Sequence, residues 1–308
     1  DYREQLKQYL AQEQRILSEL DLDSVDALMN VMEQARREGR RIFICGNGGS
    51  AEVSGKQTLL YKGYADLRAT NGTTGTLLLD PGEYTISTGA TSGNVYNVTE
   101  LGNQLNAANV TLATDGTGSG NITVAADLTN WTSGNTLTLK ANNDIDVNAT
   151  VTSTGGGNVV LRADSDADSS GTVNFGTGGK VVTGGAVSIY YNPSGTTTTT
   201  INGTSTSVKD YTTPTDYLSY VQNTSGGSGS LTAYMLVNNV NELQAISLNL
   251  NGTYALGGDI DAGATSTWNS GAGFVPISSF SGTLDGNGQA VSGLYINNTS
   301  DSNVGLFG

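Results

Sequence analysis

After Ala51 the apolar residues stop repeating at helical spacing. The sequence breaks instead into short strand-like runs divided by Gly, Asn, Ser and Thr. The clearest are Thr76–Leu79, Asn121–Ala125, Thr136–Leu139, Asp144–Val151, Asn158–Ala163 and Ala186–Tyr191. Val159 and Leu161 follow Leu137 and Leu139 at an offset of 22 residues. A period in the low twenties, holding two or three short strands, predicts a β-solenoid. In that arrangement each coil stacks on the next, inward Val, Leu and Ile form a continuous ladder, and small polar residues turn the corners. A sandwich would need alternating hairpins with tight two-residue turns, a pattern not found consistently here.

The first fifty residues are built differently. They hold 7 of the 14 basic residues and 9 of the 28 acidic ones, but only 4 of the 42 glycines. Tyr2, Leu6, Tyr9, Leu10, Ile16, Leu17 and Leu20 fall at helical spacing, which predicts a helix over 2–20. A second helix is expected over 24–38, capped by Asp23, with Val25, Leu28, Met29, Met32 and Ala35 on one face and Gly39 at its end. Arg41–Cys45 reads as a buried strand, and the Gly-rich segment Gly46–Ser50 follows at once. Helix, helix, strand and glycine loop make the opening of an α/β domain.

Composition removes several kinds of chemistry. The chain contains no histidine, so Ser-His-Asp and Cys-His nucleophiles and His-ligated metals are excluded. Its net charge of -14 argues against a nucleic-acid surface, because phosphates would not be neutralised. Cys45 is the single cysteine and cannot form an intrachain disulfide. No apolar stretch reaches the length of a membrane span. The chain opens at Asp1 without Met and stops at Gly308 after an apolar strand pattern, so it reads as cut from something longer.

Two segments echo each other at long range. Val98-Thr-Glu-Leu101 starts a helix-like stretch leading to Asn109–Leu112, and Val240-Asn-Glu-Leu243 starts another leading to Gly252–Leu256. Residues 193–230 carry Thr196–Thr200, Pro214 and Ser225–Ser230, and read as a polar loop or linker. The expected organisation is therefore 1–51 helical, 52–192 solenoid, 193–230 linker and 231–308 solenoid.

Glycines after a strand let backbone N–H groups approach an anion. The run Arg41-Ile-Phe-Ile-Cys-Gly-Asn-Gly-Gly-Ser-Ala51 resembles the phosphosugar loop of sugar-isomerase (SIS) domains of the phosphoheptose isomerase family. That resemblance implies phosphate binding by Asn47, Gly48, Gly49 and Ser50, and as an alternative function the remnant of a sedoheptulose 7-phosphate isomerase. It covers only about the first fifty residues. Glu52-Val-Ser-Gly-Lys56 departs from the family, and a chain without histidine cannot supply its isomerisation groups. The loop reads as a turn, and no enzyme activity is expected.

The remainder resembles filamentous-haemagglutinin-type adhesins exported by two-partner secretion. The residues that carry it are Ala51–Gly55, Gly75–Ile86, Tyr234–Ile246 and, most specifically, Phe274–Ile277, Gly282–Gln289 and Val304–Gly308, which resemble a GLUG repeat region. The resemblance implies a right-handed parallel β-helix that is secreted or on the bacterial cell surface. It implies an outer-membrane secretion partner and a host-cell or matrix ligand that the residues do not identify. The two resemblances meet at residues 46–51, so the chain reads as a chimera joined there.

Asp164-Ser-Asp-Ala-Asp168 places carboxylates at every second residue, as calcium loops do. An EF-hand loop starting at Asp164 would need Gly and Glu where Ser169 and Phe175 stand. The segment is taken as a solvated acidic turn, with no metal and no cofactor expected. Asp144/Asp146 and Asp259/Asp261 alternate in the same way and would share a strand face. Convergence of Asp144, Asp146 and Asp164 on one groove would favour a second alternative, a polysaccharide-active β-helix.

Overall fold

The computed structural model describes residues 2–18, 21–37, 49–55, 57–69, 71–114, 118–227, 229–297 and 304–308. The chain divides into two compact units, residues 1–44 with 62–64 and residues 45–61 with 65–308.

The first unit contains helices α1 (Tyr2–Ser18) and α2 (Leu22–Arg37). α1 is rich in Gln, Leu, Glu and Arg, and α2 holds Leu, Met and Arg in pairs, all of which lose little side-chain freedom in a helix. Asp21, rather than Asp23, caps α2. Its carboxylate accepts the Asp23 N–H at 3.1 Å and its carbonyl accepts the Val25 N–H at 3.0 Å. Asp23 instead lies in the first turn, where its charge suits the helix dipole. The expected strand Arg41–Cys45 lies outside the described residues.

The second unit is mainly β and is built on long parallel sheets. The largest has nine strands in chain order, from Ala51–Ser54 and Thr76–Asp80 through Asn109–Ala113, Leu137–Lys140, Val159–Arg162, Ala186–Tyr191, Ser230–Val237 and Thr253–Leu256 to Thr283–Asp285. A five-stranded sheet contains Tyr84–Ser87, Val95–Asn97, Ile122–Val124, Ile145–Val147 and Val173–Phe175. A four-stranded sheet contains Leu128–Trp131, Thr150–Ser153, Lys180–Thr183 and Val221–Gln222. From Asn109 to Tyr191 the chain visits the nine-, five- and four-stranded sheets in that order and returns each time to the first.

The alternation seen in the sequence sets the core. Leu137 pairs with Val159, and Leu139 with Leu161, so the 22-residue offset is a pairing register. Aligned with them are Leu77, Val110 and Val187 on one row and Leu79, Leu112 and Ile189 on the next. All ten side chains are at most 1% exposed. Burying each contributes about 1.5–3 kcal/mol. Tyr84, Ile122, Ile145 and Val173 form the matching row of the five-stranded sheet.

At the corners Asn and Asp side chains stand in for the backbone ladder. Asn109 Oδ1 accepts the Thr136 N–H at 2.8 Å, Asn121 Oδ1 the Asp144 N–H at 3.0 Å, and Asn158 Oδ1 the Ala186 N–H at 2.9 Å. Each satisfies a donor that the turning backbone would leave orphaned. Asp144–Val151, expected as one strand, is two, because Asn148 and Ala149 turn the chain from the five- to the four-stranded sheet.

Residues 193–230 differ from expectation. Thr196–Ile201 and Thr204–Lys209 form an antiparallel hairpin. Asn202 and Gly203 between them have φ of 54° and 70°, as a type I′ turn requires. The Thr-rich run is thus a β-former beside a hairpin turn, and Ile201 and Val208 are buried. Ala186–Tyr191 pairs directly with Ser230–Val237 over six positions, so the segment is an insertion within a continuous sheet.

The long-range echo has a structural counterpart. Helices α3 (Val98–Leu105) and α4 (Val240–Ala245) are capped by Asn97 and Asn239, each accepting two backbone N–H groups. A buried Gln on each helix, Gln104 or Gln244, exchanges two hydrogen bonds with one backbone residue, Ala65 or Val275.

Candidate functional site

The strand Val159–Arg162 ends in a wound turn. Asp164, Ala167, Ser169 and Gly171 all have positive φ, between 50° and 89°. Backbone bonds hold the turn to the neighbouring circuit, with the Ser165 N–H donating to Ala141 O at 3.0 Å and the Asp164 N–H to Asn143 O at 3.3 Å. This path sends Asp164 inward, where it is fully buried, and leaves Asp166 and Asp168 exposed. The expectation of a solvated turn therefore holds for two of the three carboxylates and fails for Asp164.

Inside, Asp164 meets side chains from two later strand ends. Asn192 Nδ2 donates to Asp164 Oδ2 at 2.7 Å, and Asn238 Nδ2 donates to the same oxygen at 2.8 Å. Asn238 Nδ2 also reaches Asn192 Oδ1 at 3.1 Å. The other carboxylate oxygen, Asp164 Oδ1, is buried with no hydrogen-bond partner. Burial pushes the Asp164 carboxyl up to about 7; Asn192 opposes the rise, and the charges of Asp168 and Asp166 and the close approach of the Asp168 carboxyl add to it.

The three carboxylates each bring an oxygen within 4.8 Å of the others. Asp166 and Asp168 open with Ser170, Asn142, Asn143 and Gly118–Gly120 on a polar cleft of about 200 Å³. A second buried carboxylate lies close by. Glu242 accepts the Asn238 N–H at 2.8 Å and the Ser169 hydroxyl at 3.1 Å. Burial raises its pKa, against the effect of those bonds and of the Lys209 charge.

The other sequence candidates lie elsewhere. Asp144 Oδ1 accepts the Thr172 N–H at 2.8 Å, and Asp146 Oδ1 accepts from Asn174 Nδ2 at 3.0 Å. Neither lines the cleft that Asp166 and Asp168 share. Asp259 accepts the Ala290 N–H and Asp261 the Gly263 N–H, both at 2.8 Å. Asp144, Asp259 and Asp261 thus cap backbone, and Asp146 holds a side-chain amide. Of the glycine loop, Asn47 and Gly48 lie outside the described residues, while Gly49 and Ser50 are exposed. Ser50 runs straight into the strand Ala51–Ser54.

Sequence reasoning missed Asn192 and Asn238 as partners of Asp164. They lie 28 and 74 residues away and carry no spacing signal.

No protein-family profile matches this chain, and no solved structure matches it. Halomucin of Haloquadratum walsbyi is 38% identical over 128 residues, a match covering 38% of this chain and 1% of halomucin. The chain thus aligns with a small piece of a very long protein. Among the described residues no helix is long and apolar enough to cross a membrane.

Proposed function

We propose that residues 52–308 are part of the shaft of a surface or secreted adhesin, with a mechanical rather than a catalytic role. In this reading the parallel sheets close into a right-handed β-helix, and the segments near 274–308 belong to a GLUG-type repeat of a filamentous-haemagglutinin-like protein. The observation that carries it is the repeated order in which the chain visits its three main parallel sheets, with aligned inward rows of Val, Leu and Ile. Nine parallel strands at about 4.8 Å spacing make a stack about 38 Å long, held along its length by backbone hydrogen bonds. Partial similarity to halomucin adds support for a surface location. The use of Asp144, Asp259 and Asp261 as backbone caps favours a scaffold over a hydrolase.

An antibody raised against the whole chain tests the reading on intact cells of the source organism. Labelling of unpermeabilised cells that disappears after external protease treatment is expected. Labelling that requires permeabilisation overturns it. The chimeric joint at residues 46–51 has its own test, a peptide spanning Cys45 to Lys56 in digests of the native protein. Such a peptide establishes one polypeptide; peptides assignable only to separate proteins remove residues 1–50 from the functional account.

A further inference from the structure

We propose that Asp164, Asp166 and Asp168 form a binding site for one calcium ion, which ties the 164–171 turn to the buried Asn192–Asn238 pair. Two oxygens bound to one calcium at about 2.4 Å can be at most about 4.8 Å apart. One oxygen from each of the three carboxylates meets that limit against both others. Their convergence is the first observation.

The second comes from inside the protein. Asp164 is 0% exposed, and its Oδ1 has no hydrogen-bond donor, although Oδ2 has two. A buried carboxylate oxygen left in this way forfeits its hydration without replacement. The neighbouring cation does not supply the missing partner, since Arg162 Nη2 donates to Gly257 O at 2.7 Å. A metal ion bound at Oδ1 would satisfy it.

Ligand chemistry selects the ion. The donors are carboxylate oxygens, which suit hard cations, and no imidazole exists in the chain to draw a softer metal. Calcium accepts irregular coordination and six to eight oxygens, whereas magnesium demands a near-ideal octahedron. Three carboxylates leave several positions for water. The adjoining cleft of about 200 Å³ has room for them, a water taking about 30 Å³ of liquid volume. The site would hold the turn between circuits as a clamp and does not depend on the EF-hand pattern.

The experiment uses the full chain, stripped with a chelator and titrated with calcium chloride by calorimetry, with melting followed in parallel. Saturable binding of one ion is expected, with a Kd on the order of 0.1–1 mM, as in extracellular calcium modules. Calcium should also raise the melting temperature. Asp166→Asn with Asp168→Asn changes only exposed side chains and removes two charges that repel Asp164, so the double variant should melt no lower than the wild type without calcium. It should weaken binding at least tenfold and lose the calcium-dependent shift. No saturable binding up to about 10 mM, well above that range, refutes the site. Undiminished binding by the double variant refutes these ligands, and magnesium binding as tight as calcium refutes the choice of ion.

Discussion

Leu139→Ala probes the stacked core most directly. Leu139 is 0% exposed and sits in register between Leu112 and Leu161 on the neighbouring strands. The substitution deletes three carbons, worth about 2.4 kcal/mol at about 0.8 kcal/mol each. Rows braced on both sides collapse poorly. A residual cavity of about 50 Å³ adds about 1 kcal/mol at about 24 cal/mol per Å³. The expected loss is therefore about 3.5 kcal/mol, read from equilibrium urea unfolding followed by far-UV circular dichroism. Thr138, one residue earlier, points to the other face, and Thr138→Ala should cost less than about 0.5 kcal/mol. The register also predicts a coupling pattern. Leu139→Ala should be non-additive with Leu161→Ala, since the two cavities merge. It should couple more weakly with Leu79→Ala, two strands away at about 9.5 Å, with Leu112 between them. Equal costs at positions 138 and 139, or equal coupling to Leu161 and Leu79, would refute the alignment of these rows.

Gly157 lies against the Trp131 ring and the Asn135 carbonyl, so a Cβ there would press into both. Gly157→Ala should cost about 1–3 kcal/mol and alter the near-ultraviolet signal of Trp131. Gly203 holds φ 70° in the hairpin turn, and Gly203→Val should cost about 1–2 kcal/mol, with faster amide exchange confined to 196–209. Glu242 has a folded pKa raised above its ordinary 4.5, so the folded state binds this proton more tightly than the unfolded chain does. Its contribution is therefore most favourable below pH 4.5 and is lost as pH climbs through the raised value. Glu242→Gln can keep an acceptor for the Asn238 N–H and a contact to Ser169. It should flatten that pH dependence and melt no lower than wild type at pH 7; an unchanged pH profile would contradict the assigned burial effect.

Much of the β unit was legible because strand alternation is local. Asn158–Ala163 was expected and Val159–Arg162 is observed, and Ala186–Tyr191 matches at both ends. Strands such as Leu128–Trp131 and Lys180–Thr183 were missed, since four residues give too little alternation to separate from a turn. The hairpin was misread because abundant Thr was read as a polar loop or linker, when its β-branched side chain suits a strand, beside the Asn202-Gly203 turn signal. At the candidate site the D-x-D-x-D spacing was visible, but its inward member was not. Alternation would place Asp164, Asp166 and Asp168 on one face, and the positive φ values at Asp164 and Ala167 break that geometry.

The amino-acid order by itself determined which face of each strand goes inward, because period-two burial follows from backbone pleat and hydrophobicity within a few residues. It also determined the corner chemistry, since Asn and Asp reach backbone donors wherever the ladder turns. Only the tertiary structure decided which circuits meet. The inward rows align partners at offsets that vary with the loops between them, as between Leu137 and Val159 or Val187 and Leu231. The cluster of Asp164 with Asn192 and Asn238 exists because three strand ends stack at one corner, a juxtaposition set by summed loop lengths and invisible to any local window.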